Sequence, residues 1–307
     1  MRLSSVLLFL VSLTVSTVLP AAERTPAVIA FAQDTMQNDF RKAQVFAVRD
    51  AVERFPELTF VYSDAQGKTS LLIRQIESFI KQSVDVLVVG TNDEQAVVPV
   101  ISKAHASGIK VIVLDRGVKT TNYTTFINTD NVEIGATAGR YIAEQLDGQG
   151  VVLLFEGIQT ADVTQLRSQG FMDVITQYPN IKVIKRTGNF LRRDSLYEME
   201  ALIAEGIEVD AIFSESDSML SGVRAVLNRH QIDPASIIMV GVDYISEAQQ
   251  AIRAGTQTGS VLNPLAGEET VAIARRILAG EQVAQHIIIP TDLLVTRDNV
   301  NQVAPIF

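Results

Sequence analysis

Aspartates, asparagines and arginines recur in this chain directly after short runs of β-branched and aliphatic residues. Residues 27–32 form the first such run, followed by Gln33 and Asp34, and the next helical segment opens with Asn38, Asp39, Phe40 and Arg41. Residues 84–89 lead to Gly90-Thr91-Asn92-Asp93, and residues 111–114 lead to Asp115-Arg116. In the second half, residues 151–155 lead to Glu156, with Arg167 in the helix beyond, and residues 211–213 lead to Ser214-Glu215-Ser216-Asp217. Residues 237–242 end at Asp243 and residues 259–262 at Asn263. Ligands of open parallel sheets bind beyond the carboxyl ends of the strands, where loops converge and helix N-termini present free N–H groups. A rim of carboxylates, amides and guanidiniums suits a neutral polyol, because it supplies paired donors and acceptors, while an aromatic ring covers C–H surface. Asn92, Asp93 and Asp217 serve equally well as helix caps. Asp115 and Arg116 do not reduce to capping so simply, because both leave one buried strand together.

Such a rim needs a sheet to hold it, and the hydrophobic pattern supplies two. In the first half, strands at 27–32, 58–62, 84–89 and 111–114 alternate with helical patterns at 39–55, 71–80 and 94–107. The rhythm restarts after Asp130: helices at 132–146, 164–178, 194–204 and 219–229 alternate with strands at 151–155, 182–185, 211–213 and 237–242. The tail adds strands at 259–262 and 287–289 around a helix at 267–278. Strands that are apolar throughout, spaced by helices, mean parallel sheets covered on both faces. Two such sheets fit two domains of ordinary size, joined by short ordered connections.

Composition narrows the chemistry. Of the 307 residues 47% are hydrophobic, enough for sizeable cores, and the net charge of -9 argues against nucleic acid, which needs a cationic footprint. The absence of cysteine excludes disulfides, thiolate metal sites and thiol catalysis, and only His105, His230 and His286 are available for imidazole chemistry. Phosphate loops, dinucleotide fingerprints and calcium loops are missing. No cofactor and no metal are expected. Residues 1–22 read as a cleaved export signal, with Arg2 ahead of an apolar run too short to anchor and small residues Ala21 and Ala22 at its end. A soluble periplasmic protein is the expectation.

The spacing of several short motifs resembles that of periplasmic sugar-binding proteins of the ribose-binding type, the substrate-binding subunits of ABC importers. The stretches are Val111-Ile-Val-Leu-Asp-Arg116, Ile127-Asn-Thr-Asp-Asn131 with Gly135, Phe155-Glu-Gly157, Arg167-Ser-Gln-Gly-Phe171, Ile212-Phe-Ser-Glu-Ser-Asp217, Val240-Gly-Val-Asp243 and Ala254-Gly255. The resemblance implies an α/β type I periplasmic binding protein fold of two Rossmann-like lobes with parallel sheets, joined by a three-segment hinge near Asp130, Asn263 and Asp292. Residues 23–129 with 264–292 would form the N-terminal lobe, and 130–263 with 293–307 the C-terminal lobe. It also implies a binding site of Asn38, Phe40, Arg41, Asp115 and Arg116 from the first lobe and Arg167, Phe190, Ser216, Asp243 and Asn263 from the second. Phe190 rests on the resemblance alone. An aromatic followed by Arg at Phe40-Arg41, with Phe31-Ala-Gln33 upstream, is closer to the galactofuranose-binding branch than to ribose binders, and Ser216 stands where an Asn is usual.

The expected function is capture of a monosaccharide (pentose, hexose or furanose) by a monomer that delivers it to an ABC permease, without catalysis. A protein reporting to a chemoreceptor or sensor kinase would use the same closure. An exported glycoside hydrolase is the competing class, disfavoured because arginines beside the rim carboxylates should keep them ionised and poor as acids.

Overall fold

A computed structural model describes residues 25–291 and 293–307. The leader at 1–22 and the crossing named at Asp292 lie outside the described residues. From its first strand, β1 (Ala27–Gln33), the chain alternates α1 (Asp39–Val52), β2 (Leu58–Asp64), α2 (Thr69–Lys81), β3 (Val86–Gly90), α3 (Val98–Ala106), β4 (Lys110–Leu114) and β5 (Thr125–Thr129). It continues through α4 (Asn131–Gln145), β6 (Gln149–Glu156), α5 (Asp162–Ile175), β7 (Asn180–Thr187), α6 (Arg192–Ala204), β8 (Ala211–Ser214), α7 (Asp217–Arg229) and β9 (Ile238–Asp243). The remainder is α8 (Ser246–Ala254), β10 (Gly259–Leu262), α9 (Gly267–Leu278), β11 (His286–Ile289) and β12 (Leu294–Thr296).

These elements build two α/β lobes, each on a six-stranded sheet. The strand orders are β11-β5-β4-β3-β1-β2 and β12-β10-β9-β8-β6-β7, one topological plan used twice. Side chains alternate between the faces of a strand, so a sheet covered on both sides needs apolar residues at every position. In the first sheet Ile29, Phe31, Val86, Val88, Ile112 and Leu114 pack into one core. Ala30, Ala32, Leu87, Val89, Val111 and Val113 pack into another on the opposite face. The second sheet divides the same way: Val152, Leu154, Phe213 and Val242 fill one face, and Leu153, Phe155, Ile212 and Met239 the other.

The chain passes between lobes after β5, after β10 and after β11. Each passage therefore leaves from the carboxyl end of a parallel strand, which puts all three connections beside the strand-end loops. The sheets are parallel as expected, apart from one edge strand of the second. β12 pairs antiparallel with β10, Gly259 facing Thr296. The chain enters the second lobe at the end where β10 finishes, with no crossover helix to carry it back, so it can only run the other way.

Other differences have local causes. The helix read over 94–107 begins at Val98, because Pro99 fits only the first turn and Asp93 Oδ1 closes a preceding turn by accepting from the Gln95 and Ala96 N–H groups at 3.1 and 2.9 Å. The strand β5 is Thr-Phe-Ile-Asn-Thr, whose polar positions hide it among loops. β12 and α8 were likewise not assigned from the sequence. Among the described residues no helix is long and apolar enough to cross a membrane.

Candidate functional site

In the first lobe the site residues come from the start of α1 and the end of β4. Asn38 caps α1, its Oδ1 accepting from the Arg41 N–H at 3.0 Å. The cap fixes Phe40 and Arg41 in the first helical turn, both buried. Arg41 Nη2 meets Asp115 Oδ2 at 2.5 Å, and its Nη1 donates to Gln44 Oε1 at 3.0 Å. Asp115 follows β4 in the left-handed region at φ 66°, a conformation that turns its carboxylate toward α1 instead of along the strand. Arg116 next to it pairs with Asp34 Oδ2 at 3.2 Å, donates to the Thr91 carbonyl at 3.3 Å, and lies 5.0 Å from the centre of the Phe190 ring. Burial, and then the neighbouring Arg41, lower its pKa to about 10, so it stays charged at neutral pH. Its Nε is buried without a partner among the described residues.

The second lobe answers with α5, the loop after β7, and the ends of β8, β9 and β10. Arg167 sits two turns into α5, its Nε donating to Asn131 Oδ1 at 2.8 Å and its Nη1 to the Glu215 carbonyl at 2.6 Å. α5 lies directly on α4 because glycines remove the side chains between them. A Cβ on Gly135 would lie 2.0 Å from the Arg167 carbonyl oxygen, and one on Gly170 1.9 Å from that of Val132. Ser216 caps α7, its hydroxyl accepting from the Met219 N–H at 3.4 Å. Asp243 ends β9 at φ 105°, and Asn263 Nδ2 donates to its Oδ1 at 3.2 Å. Asn263 in turn accepts from Thr129 Oγ1 at 3.0 Å, tying the site to the connection after β5.

These groups converge. One small cavity is lined by Asn38, Phe40, Arg41, Asp115, Arg116, Arg167, Phe190, Ser216, Asp243 and Asn263, the ten residues expected from the sequence, and by Val163. None of the eleven is more than 6% exposed, so both lobes cover the lining. The lobes touch around it: Asn38 Nδ2 donates to the Phe190 carbonyl at 2.7 Å, the Gly117 N–H to Asp162 Oδ2 at 2.8 Å, and Thr160 Oγ1 to the Asn92 carbonyl at 2.5 Å. At the mouth Asp39 accepts from Arg192 at 2.7 Å and from Ser218 at 3.0 Å.

Val163 escaped the sequence reading because an apolar residue at a helix start looks like core; its signal was its place one turn before Arg167 on the same face of α5. The supporting partners Asp34, Thr91, Asn131 and Glu215 were visible only as loop or motif residues. Asp93 and Asp217 are structural. Asp217 is buried, accepting from Gln257, Ser260 and the Tyr244 N–H at 2.7 Å each.

One expectation fails. Arginines were to hold the rim carboxylates ionised, yet burial raises Asp243 to about 8, against the opposing charge of Arg167. Glu215, just after β8, rises to about 8 for the same reason, although the Gly157 N–H and Ser168 hydroxyl donate to it at 2.8 and 3.0 Å. Desolvation wins because the charged form loses water on every side while the nearest guanidinium is already spent on Asn131 and a carbonyl. The cavity thus offers guanidinium donors, a carboxylate held by Arg41, a near-neutral carboxyl, two amides and two aromatic faces, a set that matches a small polyhydroxylated ring.

Comparison with known proteins points the same way. The family model described as a periplasmic binding protein domain matches residues 29–282. The ribose import binding protein RbsB of Haemophilus influenzae is 29% identical over 276 residues, 88% of this chain and 91% of that protein. The galactofuranose-binding protein YtfQ of Escherichia coli is 25% identical over 263 residues, 83% of this chain and 82% of that protein. A Mycobacterium smegmatis protein solved in complex with β-D-fucofuranose superposes with a TM-score of 0.85 at 28% identity, covering 90% of this chain and 93% of the other.

Proposed function

This chain belongs to the periplasmic binding protein domain family, and we propose that it captures one monosaccharide between its lobes in the periplasm and delivers it to an ABC importer. The observation that carries this reading is the cavity between the lobes, to which both contribute buried charged, amide and aromatic side chains.

The lobes divide as 23–129 with 264–292 and 130–263 with 293–307, and residues 1–22 act as the export signal. An open form accepts the sugar on one lobe, and rotation about the three connections brings the other lobe down. The ligand stabilises the closed form because only that form offers contacts from both sides. Arg116 and Arg167 donate to sugar oxygens. Asp115 and Asp243 bond hydroxyls, Asp243 acting as donor or acceptor according to its proton. Phe40 and Phe190 cover the ring, with Val163 beside its C–H surface. A furanose is the favoured form, in keeping with the Phe40-Arg41 pair and with the sugars named for the galactofuranose- and fucofuranose-binding relatives. The closed protein acts as a monomer and presents a composite surface to the permease, or to a chemoreceptor or sensor kinase.

Thermal unfolding against pentoses, hexoses and furanose-rich sugars, followed by calorimetry, tests this. One sugar should raise the melting temperature and bind with a stoichiometry of one, since a ligand specific to the folded state stabilises it. A panel with no stabilising sugar would overturn the reading. Release of product from a glycoside would favour the hydrolase class instead.

A further inference from the structure

The Phe190 ring occupies its place because of a residue outside the cavity lining. Its distal edge points at Gly157, just beyond β6: a Cβ there would fall 1.9 Å from Phe190 Cζ and 2.2 and 2.3 Å from the two Cε atoms. Real contacts of that kind need well over 3 Å, so any side chain at 157 must drive the ring away. The directions open to it are few. Phe190 packs into the lobe core with Phe155, Val163 and Met219. Arg116 of the opposite lobe stands 5.0 Å over the ring, and the Phe190 carbonyl is held by Asn38 at 2.7 Å. Its backbone and that of Asn189 are both in the left-handed region, at φ 60° and 52°, which leaves little freedom to absorb a shift along the chain. The remaining open side is the cavity.

We infer that Gly157 is a specificity-determining residue: by having no side chain it seats the Phe190 ring and so sets the depth of the cavity and the size of sugar it admits. This rests on the monosaccharide-binding reading above. Gly157 takes no part in binding itself; it acts through the position of the ring.

The test is a mutant cycle of Gly157→Ala and Phe190→Leu, with D-ribose, L-arabinose and D-galactose titrated by calorimetry and thermal unfolding followed in parallel. In the Phe190 background, Gly157→Ala should weaken the best-bound sugar by about 30-fold or more, with the hexose losing more than the pentoses, because overpacking a buried site is costly. In the Phe190→Leu background, where the ring edge is gone, the same substitution should cost under about 3-fold. A residue that served stability alone would lower the melting temperature equally in both backgrounds without changing the order of the sugars. Equal losses of affinity in the two backgrounds, or no loss, overturn the inference while leaving sugar binding intact. If the unmutated protein binds none of the sugars, the functional reading and this inference fall together. Should Gly157→Ala alone not fold, the comparison of Phe190→Leu with the double variant decides: sugar affinity differing by about 3-fold or less supports the inference, and a larger loss refutes it.

Discussion

Replacing Arg116 by methionine separates what this residue does for the fold from what it does for the ligand. Arg116 is 3% exposed and its partner Asp34 1%, so the pair between Arg116 Nη1 and Asp34 Oδ2 at 3.2 Å is sealed from water, and Asp34 Oδ1 has no hydrogen-bond partner among the described residues. Methionine keeps much of the volume but leaves Asp34 as an uncompensated buried charge, which costs roughly 3–5 kcal/mol. For a protein of this size each kcal/mol lowers the melting temperature by about 2–4 °C, so a drop on the order of 10 °C is expected. Adding Asp34→Asn removes the stranded charge and should restore at least about half of that loss, since the two residues are directly coupled. Sugar affinity should behave differently. Loss of the cavity-facing guanidinium removes about 2–4 kcal/mol of binding, two orders of magnitude or more in Kd, and the second substitution should not bring it back. Thermal unfolding and calorimetry on the two single variants and the double one read both effects. A double variant as unstable as Arg116→Met would refute the claim that the pair is held together by mutual charge compensation. An unchanged Kd in either variant would remove Arg116 from the site.

Because burial lifts Asp243 and Glu215 to about 8, the folded protein binds more protons than the unfolded chain from about pH 4 up to about pH 8. Their contribution to stability is therefore greatest at the acid end of that window and is lost as the pH rises through it. Melting temperatures from pH 5 to 9 at constant ionic strength should fall, and Asp243→Asn should flatten the curve; a slope unchanged in that variant would show that Asp243 keeps an ordinary pKa. Arg192→Ala should weaken sugar binding only about 2- to 5-fold, because its pair with Asp39 is about two-fifths exposed and screened, and the loss should shrink at high salt. A hundredfold loss would mean that the mouth contact, not the buried cavity, governs closure. Gly135→Ala should destabilise by about 1–3 kcal/mol and also reduce affinity, since the new methyl group displaces the backbone of Arg167; calorimetry showing full affinity would separate the helix contact from the site.

The residues at strand ends were legible because two local regularities locate them. Continuous apolar runs mark strands buried on both faces, and parallel connections bring every strand back to the same edge, so whatever follows each run must gather there. Asp115, Arg116, Ser216, Asp243 and Asn263 could be picked out on that basis, and Asn38, Phe40 and Arg41 from the helix opening after the first run. Phe190 could not, since nothing local distinguishes it, and it entered only through family resemblance. Glycines 135 and 157 were visible as motif letters, but the reason for them is an approach from another element: a carbonyl of α5 in one case, the edge of an aromatic ring in the other.

What the order of residues determined by itself was therefore the plan of two parallel sheets and the strand-end members of the candidate site, without Phe190 or Val163. The fold alone decided who partners whom and how each group is charged. Arg41 takes Asp115, Arg116 takes Asp34, and Arg167 is spent on an amide and a carbonyl, leaving Asp243 with Asn263 as its one hydrogen-bond donor among the described residues. The physical reason is one of range. Hydrophobic periodicity and capping act over a few residues and can be read along the chain, whereas electrostatic pairing and desolvation depend on distances of a few ångströms between groups such as Asp39 and Arg192, 153 positions apart, and those distances exist only once both lobes are packed.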